Sequence, residues 1–408
     1  MHTCLNNKDI HFYNDNHFHE PQPDRAASKL VMTNMKDRAC VTSEKPRTII
    51  NECLTQLLVH AALYLSSNKN LTQLINRTRR AINDFGTDGK DRQQITIKDK
   101  YKYTSGETDE NRIIILGTSD NLDLLSKEDA WYVDGTFNIS PDTFTQVFTV
   151  NVIINNKNLP LVFALLPNKQ KVSYSRVFEC LVSNVSNKPK YIMSDFEKGI
   201  TSCVKEIFKG TNVGGCYFHL ASNLWKKVVN NGSRKVFRKE EVFRKFFNYL
   251  KVIPFIPIRD MIFVFNQLRK AAPNDIIFLY DYFENNYIGG LVNESSRTRS
   301  VPLFPIATWN VHERVIRDLP RSNNSLEAWH RSLAQDLSSH PNVNKCIKHF
   351  LREQHATEIA IEQLKSGYVF ERLKWEIKRY EAIKMLYESY ERKNYQIVLD
   401  NLVAILKS

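Results

Sequence analysis

Ala130-Trp-Tyr-Val-Asp-Gly-Thr-Phe-Asn-Ile139, Phe144-Thr-Gln-Val-Phe-Thr-Val-Asn-Val-Ile-Ile154 and Leu159-Pro-Leu-Val-Phe-Ala-Leu-Leu166 are three apolar runs in close succession. They are rich in β-branched and aromatic residues, which suit a pleated, half-buried surface. Asn155-Asn-Lys-Asn158 between the second and third is a turn by composition. The runs therefore read as consecutive antiparallel strands. Pro160 lacks an N–H to donate, so the third is expected at a sheet edge. Beyond it the pattern changes period. A helix is expected over 173–185, a strand at Tyr191–Met193, a helix over 199–208, a strand near Val213–Tyr217, and a helix over 220–229.

Three antiparallel strands followed by helix, strand, helix, strand, helix is the element order of a ribonuclease H-like α/β fold. Its sheet is mixed, three antiparallel strands then two parallel ones, with the first and fourth strands as neighbours. Neighbouring strands lie about 4.8 Å apart. Asp134 sits on the first and Asp195 at the end of the fourth, so the two carboxylates can meet although far apart in sequence. Glu327, in Asn323-Asn-Ser-Leu-Glu-Ala-Trp-His330, opens a long helical pattern. Three such acids suit a pair of Mg²⁺ or Mn²⁺ ions, which take oxygen ligands and activate a water or a 3′-hydroxyl in phosphoryl transfer. The same acids also read as ordinary turn and cap residues. Asp134-Gly-Thr136 is shared with aspartyl phosphotransferases, but those need an Asp two positions earlier, where this chain has Tyr132.

The rest of the chain divides by composition. Residues 1–44 read as an irregular, polar segment, 45–110 as a helical leader and linker, and 111–231 as the catalytic core. Residues 232–320 read as a helical insertion, and 321–408 as a closing helix with further helices behind it. Among 408 residues, 57 Lys and Arg against 44 Asp and Glu give a net charge of +13, which attracts polyanions. No apolar stretch approaches the roughly 18 residues of a membrane span. The seven cysteines are widely spaced without a Cys-X-X-Cys pair, which argues against a disulfide framework and for a reducing compartment.

Other residues qualify as helpers. Glu197 follows Asp195 by two positions, on the same face if the strand continues. Cys216-Tyr-Phe-His219 offers two ligands, too few for structural zinc, and reads better as a buried thiol with a histidine near the acids. His330 shares a helix face with Glu327. Arg321, Asn323 and Asn324 carry donors suited to phosphate or base edges, or to helix capping. Lys226, Lys227, Arg234, Lys235, Arg238 and Lys239 form a dense basic run, either a track for a DNA backbone or a solvated helix face.

Taken together, Trp131-Tyr-Val-Asp-Gly-Thr-Phe137, Ser194-Asp-Phe-Glu197, Gly215-Cys-Tyr-Phe-His219 and Asn323-Asn-Ser-Leu-Glu-Ala-Trp-His330 resemble the Mutator-like element (MULE) transposases. The resemblance covers about residues 45–360. It implies a DDE-type transposase with Asp134, Asp195 and Glu327 as triad and metal ligands, acting in DNA transposition and recombination. It also implies double-stranded DNA as partner, a homodimer or higher assembly on DNA, and a nuclear location. Such proteins often carry an N-terminal FLYWCH-type zinc finger. Asp15-Asn-His-Phe-His-Glu-Pro21 looks like the end of one, with His17 and His19 as remnant ligands and no preceding cysteine pair. The competing expectation is a domesticated, non-catalytic DNA-binding or regulatory protein that keeps the fold.

Overall fold

The computed structural model describes residues 2–3, 10–12, 22–42, 44–82, 91–92, 95, 102–104, 109–293, 298–320, 324–337 and 340–407. The chain forms two compact units, Met1–Asp84 and Phe85–Ser408. Among the described residues no helix is long and apolar enough to cross a membrane.

The first unit holds a short antiparallel pair, β1 (His2–Thr3) and β2 (Ile10–Phe12), and helices α1 (Pro23–Val41), α2 (Pro46–Leu54) and α3 (Asn68–Ile82). Helix α1 corrects the reading of residues 1–44 as irregular. Its buried residues Ser28, Val31, Met35 and Ala39 recur at helical spacing, but two of the four are small and the other faces are charged. The apolar stripe is therefore too thin to stand out in sequence. It packs against Ile49, Ile50 and Cys53 of α2 and Leu71 and Ile75 of α3. His17 and His19 lie outside the described residues.

The second unit is built on a seven-stranded sheet. In chain order it runs β3 (Lys102–Thr104), β4 (Ile114–Leu116), α4 (Ser119–Lys127), β5 (Ala130–Thr136), β6 (Gln146–Ile154), β7 (Lys157–Leu166), α5 (Lys171–Asn184), β8 (Tyr191–Ser194), α6 (Lys198–Ile207), β9 (Asn212–Gly215) and α7 (Tyr217–Asn230). The strand order is β3-β4-β7-β6-β5-β8-β9. Strand β5 is antiparallel to β6 and parallel to β8, and β9 is parallel to β8. Asn155 and Asn156, both at positive φ, make the two-residue turn between β6 and β7. Asn tolerates that region, and a turn of this hand matches the strand twist.

Two expectations need revising here. Strand β7 is internal, flanked by β6 and β4. The short β4 reaches only residues 163–165, however, so Pro160 stands past its end, opposite an irregularity at Val150/Asn151. The missing N–H is thus tolerated at a local edge of an internal strand. Lys102–Thr104, inside the expected linker, pairs with Ile114–Leu116 as a strand. Helix α4 is an addition. Thr118 caps it, accepting from Asn121 N at 3.2 Å, and Asn121 in turn donates to Leu161 O and Gln354 Oε1.

Helices follow to the end: α8 (Arg234–Lys239), α9 (Glu241–Val252), α10 (Ile258–Ala271), α11 (Ile277–Phe283), α12 (Ile306–Trp309), α13 (His312–Ile316), α14 (Asn324–Asp336), α15 (Val343–Lys365), α16 (Lys374–Glu388) and α17 (Tyr395–Lys407). Many of them share one aromatic-rich core with α7, around Phe247, Phe265, Phe283, Tyr287 and Trp309.

The alternation of β5 decides what meets at its end. Trp131 and Val133 enter the core with Phe148, Tyr174, Phe178 and Ile192. Tyr132 faces the other way, into a cluster with Met193, Cys216 and Leu326. Asp134, two residues on, shares the face of Tyr132. Helix α14 covers that side of the sheet through Leu326, Trp329, Leu333 and Leu337.

Candidate active site

The parallel register aligns Ala130 with Tyr191, Trp131 with Ile192 and Tyr132 with Met193. The pairing ends there, with Asp134 two residues past Tyr132 and Asp195 two residues past Met193, at the same end of the strand pair. Asp134 is buried, with 3% of its surface exposed. Its Oδ1 accepts from Gly135 N at 2.9 Å, and its Oδ2 lies 3.2 Å from His330 Nδ1 on α14. The other ring nitrogen of His330, Nε2, is buried without a hydrogen-bond partner. Position 327 lies one turn before His330 on the same helix face. The side chains of Glu327 and Asn324, and all of Arg321 and Asn323, lie outside the described residues.

Asp195 follows β8 directly. Part of the residue reaches the surface, but its Oδ1 is buried and has no hydrogen-bond partner. Burial, with the charges of Glu197 and Asp134 beside it, pushes its carboxyl up to about 8. Glu197 is fixed at the start of α6. Its Oε2 accepts from Tyr174 Oη at 2.5 Å, and its Oε1 lies 3.4 Å from Lys169 Nζ. Gln146 Nε2 donates to the same tyrosine oxygen at 2.8 Å. A Cβ on Gly135 would stand 2.6 Å from Gln146 Oε1, so glycine after Asp134 keeps this chain in place.

Cys216 is the buried N-cap residue of α7, and His219 follows within its first turn. Burial lowers the imidazole pKa of His219, Asp134 raises it, and Lys226 and His330 lower it further. These influences place His219 electrostatically with Asp134 and His330. They also link the site along α7 to the basic run, where Lys226, Arg234, Lys235, Arg238 and Lys239 are exposed. Lys227 is half-buried, its Nζ 5.3 Å above the Tyr282 ring.

Sequence reading missed Tyr174, Gln146 and Lys169. Tyr174 sits in the apolar stripe of α5, where a tyrosine reads as core. Nothing in sequence pairs it with Glu197. The two described carboxylates and His330 have the chemistry of a cation site: clustered acids and a buried, unpartnered carboxylate oxygen. Among the described residues no three His, Cys, Asp or Glu side chains group as metal ligands. The third acid expected from sequence has its side chain outside them.

The raised carboxyl of Asp195 makes a stability prediction for the metal-free protein. Its folded-state pKa lies above the unfolded value of about 3.9. Between about pH 4 and pH 8 the folded chain holds a proton that the unfolded chain releases, so its contribution to stability falls as pH rises through that window. Asp195→Asn removes this penalty. The variant is expected to gain on the order of 2–4 kcal/mol at pH 8, or a Tm rise of about 3–6 °C. The gap should close toward pH 4 in thermal melts with EDTA. A gap that is the same at both pH values would show that Asp195 carries no such penalty.

The family matched is the MULE transposase domain, over residues 130–223, from the start of β5 into α7. That span includes Asp134, Asp195, Cys216 and His219 and ends before α14. Among curated proteins none matches the chain. The solved Drosophila P element transposase strand transfer complex is similar over 92% of this chain and 91% of its own, at 11% identity and a TM-score of 0.26. So loose an overlay lends no weight to any assignment.

Proposed function

We propose that this chain is a DDE-type transposase of ribonuclease H-like fold that cuts and joins DNA with divalent cations. The observation that carries the reading is the convergence of Asp134, Asp195 and His330 at the end of a parallel strand pair, inside the segment that matches a transposase domain. Asp134 and Asp195, with Glu327 one turn before His330, are the residues that would hold Mg²⁺ or Mn²⁺. Such ions, when bound, activate the attacking water or 3′-hydroxyl and stabilise the leaving oxygen. The protein's own groups orient the acids. His330 holds Asp134 from α14. Tyr174 and Lys169 hold Glu197, whose charge beside Asp195 makes the pocket favourable for a cation. The exposed cations of α7 and α8 suit a duplex backbone, and the net charge of +13 draws DNA to the chain. Work on DNA of this kind belongs in the nucleus, on an assembly of at least two copies.

The test is purified protein with duplex DNA in Mg²⁺ or Mn²⁺. Nicked or joined strands that disappear with EDTA are expected. DNA binding without cleavage or joining in either metal would overturn the proposal in favour of a binding-only protein. A second readout needs no turnover. Saturating Mn²⁺ should raise the melting temperature of the wild type, since a ligand at a hundredfold its Kd contributes about 2.7 kcal/mol. It should leave Asp195→Asn unchanged.

A further inference from the structure

We infer that α3, in the first unit, is a DNA-reading helix that enters the major groove of B-form DNA. The helix has two distinct sides. Leu71 and Ile75 are buried against α1 and α2, and Arg79 is anchored by donating to Ala39 O, Thr42 O and Glu44 O. The opposite side carries Lys69, Gln73, Asn76 and Arg77, spaced i, i+4, i+7 and i+8, and all four are exposed. Among the described residues no hydrogen bond or ion pair ties any of these four side chains to the protein.

Their chemistry is selective. Arg and Lys pair with the guanine O6/N7 edge, and Asn and Gln pair bidentately with adenine N6/N7. Asn68–Ile82 holds four cations, Lys69, Arg77, Arg79 and Arg80, and not one carboxylate. Its exposed side, with Lys69 near one end and Arg77 two turns on, therefore complements a polyanion. From Lys69 to Arg77 the helix rises about 12 Å, the span of three to four stacked base pairs. The start of α3 and α2 together line a groove of about 500 Å³ in which Arg47, Asn51 and Lys69 face outward. A phosphate backbone beside the groove would meet these donors without an opposing acid in the lining. An A-form RNA duplex hides its base edges in a deep, narrow major groove, so B-form DNA is the partner that fits a side-chain array of this kind.

The inference does not depend on strand cleavage, because a chain without nuclease activity can read DNA in this way. The experiment uses the full chain in EDTA, where no cutting occurs, and selects binding sites from a random-sequence duplex pool. A preferred sequence is expected. Gln73→Ala and Asn76→Ala should each weaken binding to it about 10- to 100-fold while changing binding to a scrambled duplex less than about twofold. Lys69→Ala should weaken both duplexes and lower the salt dependence by about one ion. All three residues are exposed, so melting temperatures within about 1 °C of wild type confirm intact folding. No enriched sequence, or an enriched sequence bound equally by the variants, overturns the inference. So does a preference for duplex RNA or for an acidic polypeptide. Selective binding with no cleavage in Mn²⁺ overturns the catalytic proposal alone.

Discussion

Asp134→Asn is expected to abolish metal-dependent cleavage, lowering the rate at least about 10³-fold, while leaving fold and DNA binding intact. The substitution keeps shape and removes charge. Asparagine Oδ1 can still accept from Gly135 N, as the aspartate does at 2.9 Å. Its Nδ2 would face His330 Nδ1, which then becomes the acceptor and moves its proton to Nε2. The site stays filled, and the one cost is an N–H at the buried, unpartnered Nε2 of His330, about 1–3 kcal/mol, so the melting temperature should fall by no more than about 5 °C. What the proposed mechanism loses is the negative charge of Asp134 at the end of the β5–β8 pair. The measurement is initial cleavage rate in Mn²⁺ beside a binding isotherm in EDTA. A variant that keeps a tenth of the wild-type rate would remove Asp134 from the catalytic machinery.

Gly214→Ala is expected to be among the most destabilising single substitutions in the second unit, by about 4 kcal/mol or more. Gly214 lies in β9 beside β8. An added Cβ would lie 1.6 Å from Tyr191 Oη, 2.3 Å from its Cζ and 2.6 Å from Arg314 Nη2. Neither neighbour can withdraw cheaply. Arg314 is buried and donates to Gly215 O at 2.9 Å and to Thr308 O at 2.8 Å, so moving it leaves a charged group and two carbonyls unsatisfied. Tyr191 is sandwiched beneath it, with the guanidinium 5.4 Å from the ring. The next residues are Gly215, against which the Phe196 ring presses, and Cys216, which starts the helix bearing His219. Damage at Gly214 therefore reaches the site. Thermal melts should show a drop of about 8 °C or more. Gly210→Ala serves as the contrast. Its φ is +89° but nothing lies within 4 Å, so it costs only about 1–2 kcal/mol of backbone strain. Equal melting temperatures for the two variants would rule out the packing account. Tyr191→Phe, whose lost hydroxyl has no hydrogen-bond partner, should be mild alone and should partly rescue Gly214→Ala.

Much of the sheet was legible because its strands are long, apolar and β-branched. The limits expected for Lys171–Asn184 and Lys198–Ile207 fall within two residues of those observed, since periodic apolar positions fix a helix locally. Helix α1 escaped notice because Ser28 and Ala39 are half of its buried stripe. Helix α4 escaped because it is nine residues long, and much of its anchorage is a polar side chain, Asn121, bonded to Gln354 more than two hundred positions away. The edge position expected for β7 failed because Pro160 excludes a pairing at one residue, while the strand pairs elsewhere along its length.

The sequence by itself determined the alternation that turns Asp134 away from Trp131 and Val133, the turn at Asn155-Asn156, the positive charge and the motifs around the acids. These are local properties, set by periods of two and 3.6 residues and by side-chain chemistry. Only the tertiary structure decided that β5 lies beside β8 with Tyr132 level with Met193, so that Asp134 and Asp195 share one end of the pair, that His330 reaches Asp134 from α14, and that Glu197 is held by Tyr174 and Lys169. Those facts depend on which strands pair and which helix covers which face, and the free energy of that choice comes from burying surfaces far apart in the chain. The raised carboxyl of Asp195 is of the same origin, because desolvation belongs to a position in the folded molecule and to no residue type.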